Sequence, residues 1–206
     1  MNLREHYWYF NKILTPEFCK KIIKHALATQ KSKLAVTNEF ENKEITKKDL
    51  KNLKKIRNSD VIWLNDVWIY EKIVPLIYEA NKYAGWNFEF DWFEQMQFTI
   101  YGKNQHYDWH WDSLNAPYES PDVNFNGKIR KISVTVSLTD PSEYTGGKLE
   151  FDLRNTHKGS NIIECKEIKK QGSVIVFPSH VWHRVTPVTK GTRYSLVIWG
   201  LGRPFR

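Results

Sequence analysis

Residues 104–113 read NQHYDWHWDS, which places two histidines, two aspartates and two tryptophans in ten positions. His110 and Asp112 are two apart, so on a strand both side chains leave the same face, and an imidazole nitrogen and a carboxylate oxygen could meet one metal ion. Two ligands do not make a metal centre, and a polar, aromatic strand end has the same composition. A third ligand has to come from a distant strand.

The segment VIVFPSHVWHRVTPV (174–188) supplies two more histidines, His180 and His183, directly after an apolar run, and Arg193 follows ten residues past the second. One carboxylate and two imidazoles on one side of a metal, with the other positions open, is the donor set of non-haem Fe(II) oxygenases. The open positions would have to hold a co-substrate and dioxygen.

Such groups need a rigid frame to hold them. The 206 residues suffice for one well-buried domain, and the high aromatic content, nine tryptophans included, suits strands and apolar cavities. TPEFCKKIIKHALATQ (15–30) carries a Thr cap, Pro at the first helical position and Phe18, Ile22, Ile23 and Leu27 at helical spacing, which predicts a helix. ITKKDLKNLKKI (45–56), with Leu50, Leu53 and Ile56, and IYEKIVPLIYEANKYAG (69–85), in which Pro75 could introduce a kink, predict two more. After Gly85 the texture changes to short β-branched or aromatic runs at 93–101, 130–138, 147–151, 172–177 and 192–200, separated by turn signals such as DPSEYTGG and TPVTKG. This predicts an α+β, mainly β chain, with an antiparallel sandwich, barrel or double-sheet jelly roll and the early helices packed outside it. The loop SLNAPYESPDVNFNGK (113–128) is long enough for a lid, disorder being the alternative.

Charge and cysteine content narrow the setting. The net charge is +8, and residues 1–60 hold fourteen Lys/Arg against seven Asp/Glu. A solvated helical face accounts for this; an acidic partner such as nucleic acid is the alternative, although no RRM, KH or zinc-finger signature accompanies the charge. Cys19 and Cys165 form no CxxC pattern, and Cys19 falls on the apolar side of its helix as a small buried hydrophobe. No signal-like apolar core and no apolar run of membrane-spanning length occurs, so a cytoplasmic protein with no membrane partner is the expectation.

HWD at 110–112, HRVTPV at 183–188 and GTRYSLVIW at 191–199 resemble the His-x-Asp, distal His and downstream basic residue of the 2-oxoglutarate-dependent Fe(II) oxygenases, in particular their prolyl 4-hydroxylase-like branch. The likeness runs over about residues 94–200, and more weakly over the N-terminal helices and RNSDVIWL (57–64). It implies a double-stranded β-helix (jelly roll) core over 91–202, residues 1–90 as mainly helical support and substrate-side elements, and one catalytic domain over 1–206. It also implies Fe(II), 2-oxoglutarate as co-substrate, dioxygen, and ascorbate as a reductant. His110, Asp112 and His183 become the metal ligands, while His180, His106 and Asp108 fall back to hydrogen-bonding or surface roles and Trp111 points away from the metal. A guanidinium offers a planar fork for a carboxylate, so Arg193 suits the far carboxylate of 2-oxoglutarate, a structural salt bridge being its alternative. On strand parity Arg193, Ser195, Val197 and Trp199 share one face.

Tyr101 stands where this branch places a tyrosine that also reaches the co-substrate. Gln97 and Thr99 share its face and join the same shell, unless that face is simply exposed. Tyr107, Arg130 and Trp199 resemble substrate-side residues; aromatic core and a strand-edge charge are their alternative readings. Two positions depart from the family: Lys148 reverses the acidic residue of its GGE turn, and Leu201 stands where some peptidyl-proline enzymes have histidine. The reaction implied is hydroxylation of a C–H bond coupled to conversion of 2-oxoglutarate to succinate and carbon dioxide. The leading substrate is a prolyl residue of a peptide or protein, with loop 113–128 and residues near 35–60 closing over it. A free amino acid, small metabolite or nucleobase is the alternative substrate, and a non-catalytic jelly-roll binding module the alternative class.

Overall fold

The computed structural model describes residues 6–29, 32–35, 46–153 and 161–205. Among them are three α-helices, α1 (Pro16–Thr29), α2 (Lys47–Ile56) and α3 (Val67–Tyr83). The strands, in chain order, are β1 (Trp8–Phe10), β2 (Lys33–Leu34), β3 (Arg57–Asn58), β4 (Asp60–Leu64), β5 (Trp92–Phe93), β6 (Met96–Tyr101), β7 (His106–His110) and β8 (Ile129–Ser137). They continue with β9 (Tyr144–Gly146), β10 (Leu149–Asp152), β11 (Ile162–Glu164), β12 (Val174–Pro178), β13 (Trp182–Val185), β14 (Val188–Gly191) and β15 (Arg193–Gly202).

Local chemistry sets the helices. The Thr15 hydroxyl accepts the Phe18 N–H at 3.2 Å and starts α1, whose Cys19, Ile22 and Ala26 are buried. α2 opens with a capping box in which Thr46 and Asp49 each bond the other's backbone N–H. α3 runs through Pro75 and buries Ile69, Ile73, Ile77 and Ala80, a stripe at one-turn spacing. Both α1 and α3 lie against the outer face of a sheet, where their apolar residues join Phe98, Val134, Val136, Leu196 and Ile198 in the main core.

Every strand pairing among the described residues is antiparallel. The larger sheet has the order β1-β12-β8-β15-β6-β4-β2, with β5 also on β15; the smaller runs β11-β10-β13-β7-β3, and β14 pairs β9. This is the double-stranded β-helix that the sequence motifs imply. Residues 6–64 also supply strands, since β1 and β2 edge the larger sheet, β4 joins it and β3 edges the smaller. Runs of two to five residues carry too little periodicity to announce themselves in sequence.

Two features of the strands shape the space between the sheets. On β15, Tyr194, Leu196 and Ile198 enter the helix-facing core while Arg193, Ser195, Val197 and Trp199 face that space. The β15–β8 pairing shifts register between Gly200 and Leu201, so Arg130 lies opposite Leu201 rather than Gly202 and its guanidinium sits 4.0 Å over the Trp199 ring.

Candidate metal centre

His110 ends β7 and His183 lies directly opposite it on β13, so the ladder itself brings the two imidazoles together. Asp112 follows β7, its backbone N–H held by the Ser179 carbonyl at 2.9 Å. The Asp112 carboxylate faces both rings, with Oδ1 3.7 Å from His110 Nε2 and Oδ2 3.6 Å from His183 Nε2. These three are the one group of metal-ligating side chains found together among the described residues.

Each imidazole turns its other nitrogen to a backbone carbonyl. His110 Nδ1 is 2.7 Å from Asp108 O and His183 Nδ1 is 3.0 Å from Val181 O. A carbonyl can only accept, so Nδ1 carries the proton and the Nε2 lone pair faces the carboxylate. Burial, with His183 beside it, holds the His110 imidazole well below its ordinary pKa, as a neutral ligand requires. Burial pushes Asp112 upward, but His183, His110 and Arg130 together outweigh it and keep the carboxyl below its usual range. Two imidazoles and a carboxylate, oriented by the backbone, fit a divalent non-haem iron.

Arg193 and Tyr101 are cross-strand partners at the floor of the same cavity. Arg193 is 2 % exposed, and its one side-chain hydrogen bond is a long one, 3.4 Å to Ser195 Oγ. No carboxylate lies within ion-pair distance of it among the described residues, so the structural salt bridge is not what occupies this guanidinium. Tyr101, with its ring 5.5 Å from the guanidinium carbon, is pushed above its ordinary pKa by burial and so keeps a hydroxyl proton to donate. Gly147 (φ +58°) passes so close that an added Cβ would lie 2.9 Å from Arg193 Cδ, which makes glycine obligatory there.

Gln97 bridges two groups: its Oε1 accepts from Arg57 Nη2 at 2.9 Å and its Nε2 donates to Thr99 Oγ1 at 2.9 Å. Thr99 is fully buried beneath it. Above the ligands opens a cleft of about 440 Å³ that includes Lys33, Arg57, Trp63, Tyr107, Arg130 and Trp199 in its walls. Tyr107 stacks on His110 with ring centres 3.5 Å apart, and burial pushes its hydroxyl pKa up to about 12. The Trp199 N–H sits beside Asp112 and favours its ionised form, yet meets no acceptor at hydrogen-bond geometry. Arg130 is clamped by Glu94 through two bonds of 2.6 Å.

Arg57 and Glu94 are two charged residues near the site that sequence reasoning passed over. The Arg57 guanidinium stands 4.5 Å over the Tyr107 ring. Its signal was the RNSDVIWL likeness; Glu94 had none, because its partner lies 36 residues away. His106 is held by the Lys55 and Asn104 carbonyls, Asp108 caps the Trp109 N–H, and His180 is exposed beside Phe205, so none of the three joins the ligands. Trp111 packs edge-on against Trp182 and is 42 % exposed. Lys148 meets Glu164 at 2.7 Å on the surface, and Leu201 is fully buried. Both departures from the family pattern therefore lie outside the ligand cavity. Of the closing elements expected near 35–60, residues 36–45 lie outside the described residues.

Residues 96–200 match the family model of the 2OG-Fe(II) oxygenase superfamily. A PKHD-type hydroxylase of Sphingopyxis alaskensis is 33 % identical over 134 residues, covering 63 % of this chain and 56 % of that one. The match spans 41 %, 56 % and 42 % of the length of three curated relatives, less than two thirds of each. Among solved structures, a viral collagen prolyl hydroxylase from Paramecium bursaria Chlorella virus-1, in its 2OG complex, superposes with a TM-score of 0.65 at 20 % identity and covers 97 % of both chains. A prolyl hydroxylase from Trichoplax adhaerens, in complex with a hypoxia inducible factor peptide fragment, gives 0.69 at 14 % identity, covering 96 % of this chain and 84 % of that one.

Proposed function

The chain belongs to the 2OG-Fe(II) oxygenase superfamily, and from that premise we propose that it hydroxylates a C–H bond of a prolyl residue in a peptide or protein. The observation that carries this reading is the pairing, in one cavity, of a two-histidine, one-aspartate ligand set with a buried arginine that has no carboxylate of its own among the described residues. Bound there, Fe(II) with 2-oxoglutarate and dioxygen supplies the oxidising chemistry that converts C–H to C–OH while the co-substrate becomes succinate and carbon dioxide.

His110, Asp112 and His183 hold the metal through Nε2, a carboxylate oxygen and Nε2, with the Asp108 and Val181 carbonyls fixing both rings. Arg193 binds the far carboxylate of the co-substrate through its fork and Tyr101 donates its hydroxyl to the same group. Gln97, kept in place by Arg57 and Thr99, lines the side of that cavity. Tyr107 and Trp199 flank the approach to the metal, Trp199 offering its unpaired N–H, and Arg130 closes the wall beside them. Buried aromatic rings there exclude water from the reaction.

The open cleft favours a peptide, because a free amino acid or nucleobase would leave much of its volume of about 440 Å³ unfilled. A structural neighbour points the same way: the Trichoplax prolyl hydroxylase was solved with a peptide fragment. No helix among the described residues is long and apolar enough to cross a membrane. The unpaired Cys19 and Cys165 suit a reducing, cytoplasmic setting, with ascorbate as the reductant.

The test is incubation with Fe(II), 2-oxoglutarate and proline-containing peptides, followed by mass spectrometry. An added oxygen on proline together with succinate is expected only when all components are present. Succinate formed equally well without peptide, or oxygen on another residue throughout the library, would overturn the prolyl assignment.

A further inference from the structure

Next to the cleft over the three ligands lies a second opening of about 450 Å³. Its aromatic walls are Trp92 and Phe93 of β5, Tyr118 and Phe125 of the 113–128 loop, and Trp63 of β4, with the polar Asn65, Glu94 and Gln95 between them. Trp63 and Arg130 line both openings, so the two lie side by side with these residues between them.

The walls are built rather than loose. The Tyr118 hydroxyl donates to Glu94 Oε1 at 3.0 Å, its backbone N–H bonds the Lys128 carbonyl, and its own carbonyl accepts from Gly127. Its ring meets Phe125 edge-on at 5.6 Å. Across the opening, β5 is pinned to β15 by the pairing of Trp92 with Leu201. Yet Trp63 and Trp92 each leave 39 % of their surface exposed. Aromatic rings kept wet around a concavity beside a reaction centre mark a binding surface.

We propose that this opening is a subsite for a large apolar or aromatic side chain of the polypeptide substrate, on one flank of the hydroxylated residue. The proposal rests on the peptide reading of the cleft. Adjacency to the cleft selects the occupant, since a chain that passes over the ligands and beyond Arg130 runs into these rings. The lining chemistry selects the side chain: Arg130 is already neutralised by Glu94 through two hydrogen bonds, so the opening has no spare charge for an acidic or basic group. Loop 113–128 is then a fixed wall of the substrate groove and not a lid.

The experiment is a series of proline peptides, otherwise Gly/Ser, in which one Phe is moved through every position on both flanks. Each is assayed for hydroxylation by the full chain with Fe(II) and 2-oxoglutarate, and for binding by fluorescence anisotropy with Mn(II) in place of iron. At one offset, Phe should lower KM and the dissociation constant about tenfold relative to Gly, as filling an apolar site does. Trp92→Ala should level the series, and Phe125→Ala should do so independently in case the first variant folds poorly. Turnover that is indifferent to where Phe stands, or a preference untouched in both variants, removes the subsite and leaves the prolyl reading intact. Position-dependent binding that vanishes in the variants without any hydroxylation keeps the subsite and removes the prolyl reading. Absence of both binding and turnover overturns both.

Discussion

The floor of the cavity and its mouth are made differently. On the floor, His110 faces His183 and Tyr101 faces Arg193 as direct ladder partners, so cross-strand pairing sets the chemistry. At the mouth, two-residue strands, a sixteen-residue loop and a shifted register bring Arg57, Trp92, Tyr118 and Arg130 to the groove. A ladder fixes side chains to a fraction of an ångström and resists change, whereas loops and short edges vary at little cost to the fold. One scaffold can thus keep a single reaction while its substrate changes.

This contrast can be broken most sharply at the floor. His110→Ala or His183→Ala should reduce succinate production to background and abolish Mn(II) binding in calorimetry; activity in either variant would refute the ligand assignment. Next in size is Arg193→Ala, expected to raise the 2-oxoglutarate KM about a hundredfold or more, since a buried charge-assisted pair is lost. Arg193→Lys should recover only part of this, because an ammonium cannot present the fork. An unchanged co-substrate KM would free Arg193 from that role.

The mouth should respond through stability and substrate affinity. Arg130→Ala strands the buried Glu94 carboxylate and should cost about 3 kcal/mol in denaturant unfolding. Arg130→Ala combined with Glu94→Gln should cost clearly less than the sum, and strict additivity would show that the pair is not coupled. Smallest of all, Lys148→Glu should leave turnover and the unfolding midpoint unchanged, as its partner Glu164 is on the surface. A loss of co-substrate affinity there would mean that the turn reaches the cavity after all.

Much of this was legible in the chain. HxD spacing, β15 parity and the apolar stripes of α1 and α3 are local patterns, and the strand face that carries Arg193, Ser195, Val197 and Trp199 is the one that lines the cavity. The strands in residues 6–64 were not legible, being too short to show a period. Nor was the role of the 113–128 loop, whose Asn, Pro and Ser content describes a lid and a wall equally well. Glu94 reads in sequence as one more polar residue beside β6.

By itself, the sequence determined which residues share a strand face, because alternation along a strand follows from backbone geometry and needs no partner to be read, and it carried the HWD, HRVTPV and GTRYSLVIW motifs whose resemblance implies the double-stranded β-helix, the ligand set and the role of Arg193. Tertiary structure alone decided which imidazole nitrogens face Asp112, that Arg130 is spent on Glu94, and that two aromatic walls adjoin the cleft. Each of those depends on contacts between segments tens of residues apart, and on one register shift at Gly200–Leu201, that no local pattern encodes.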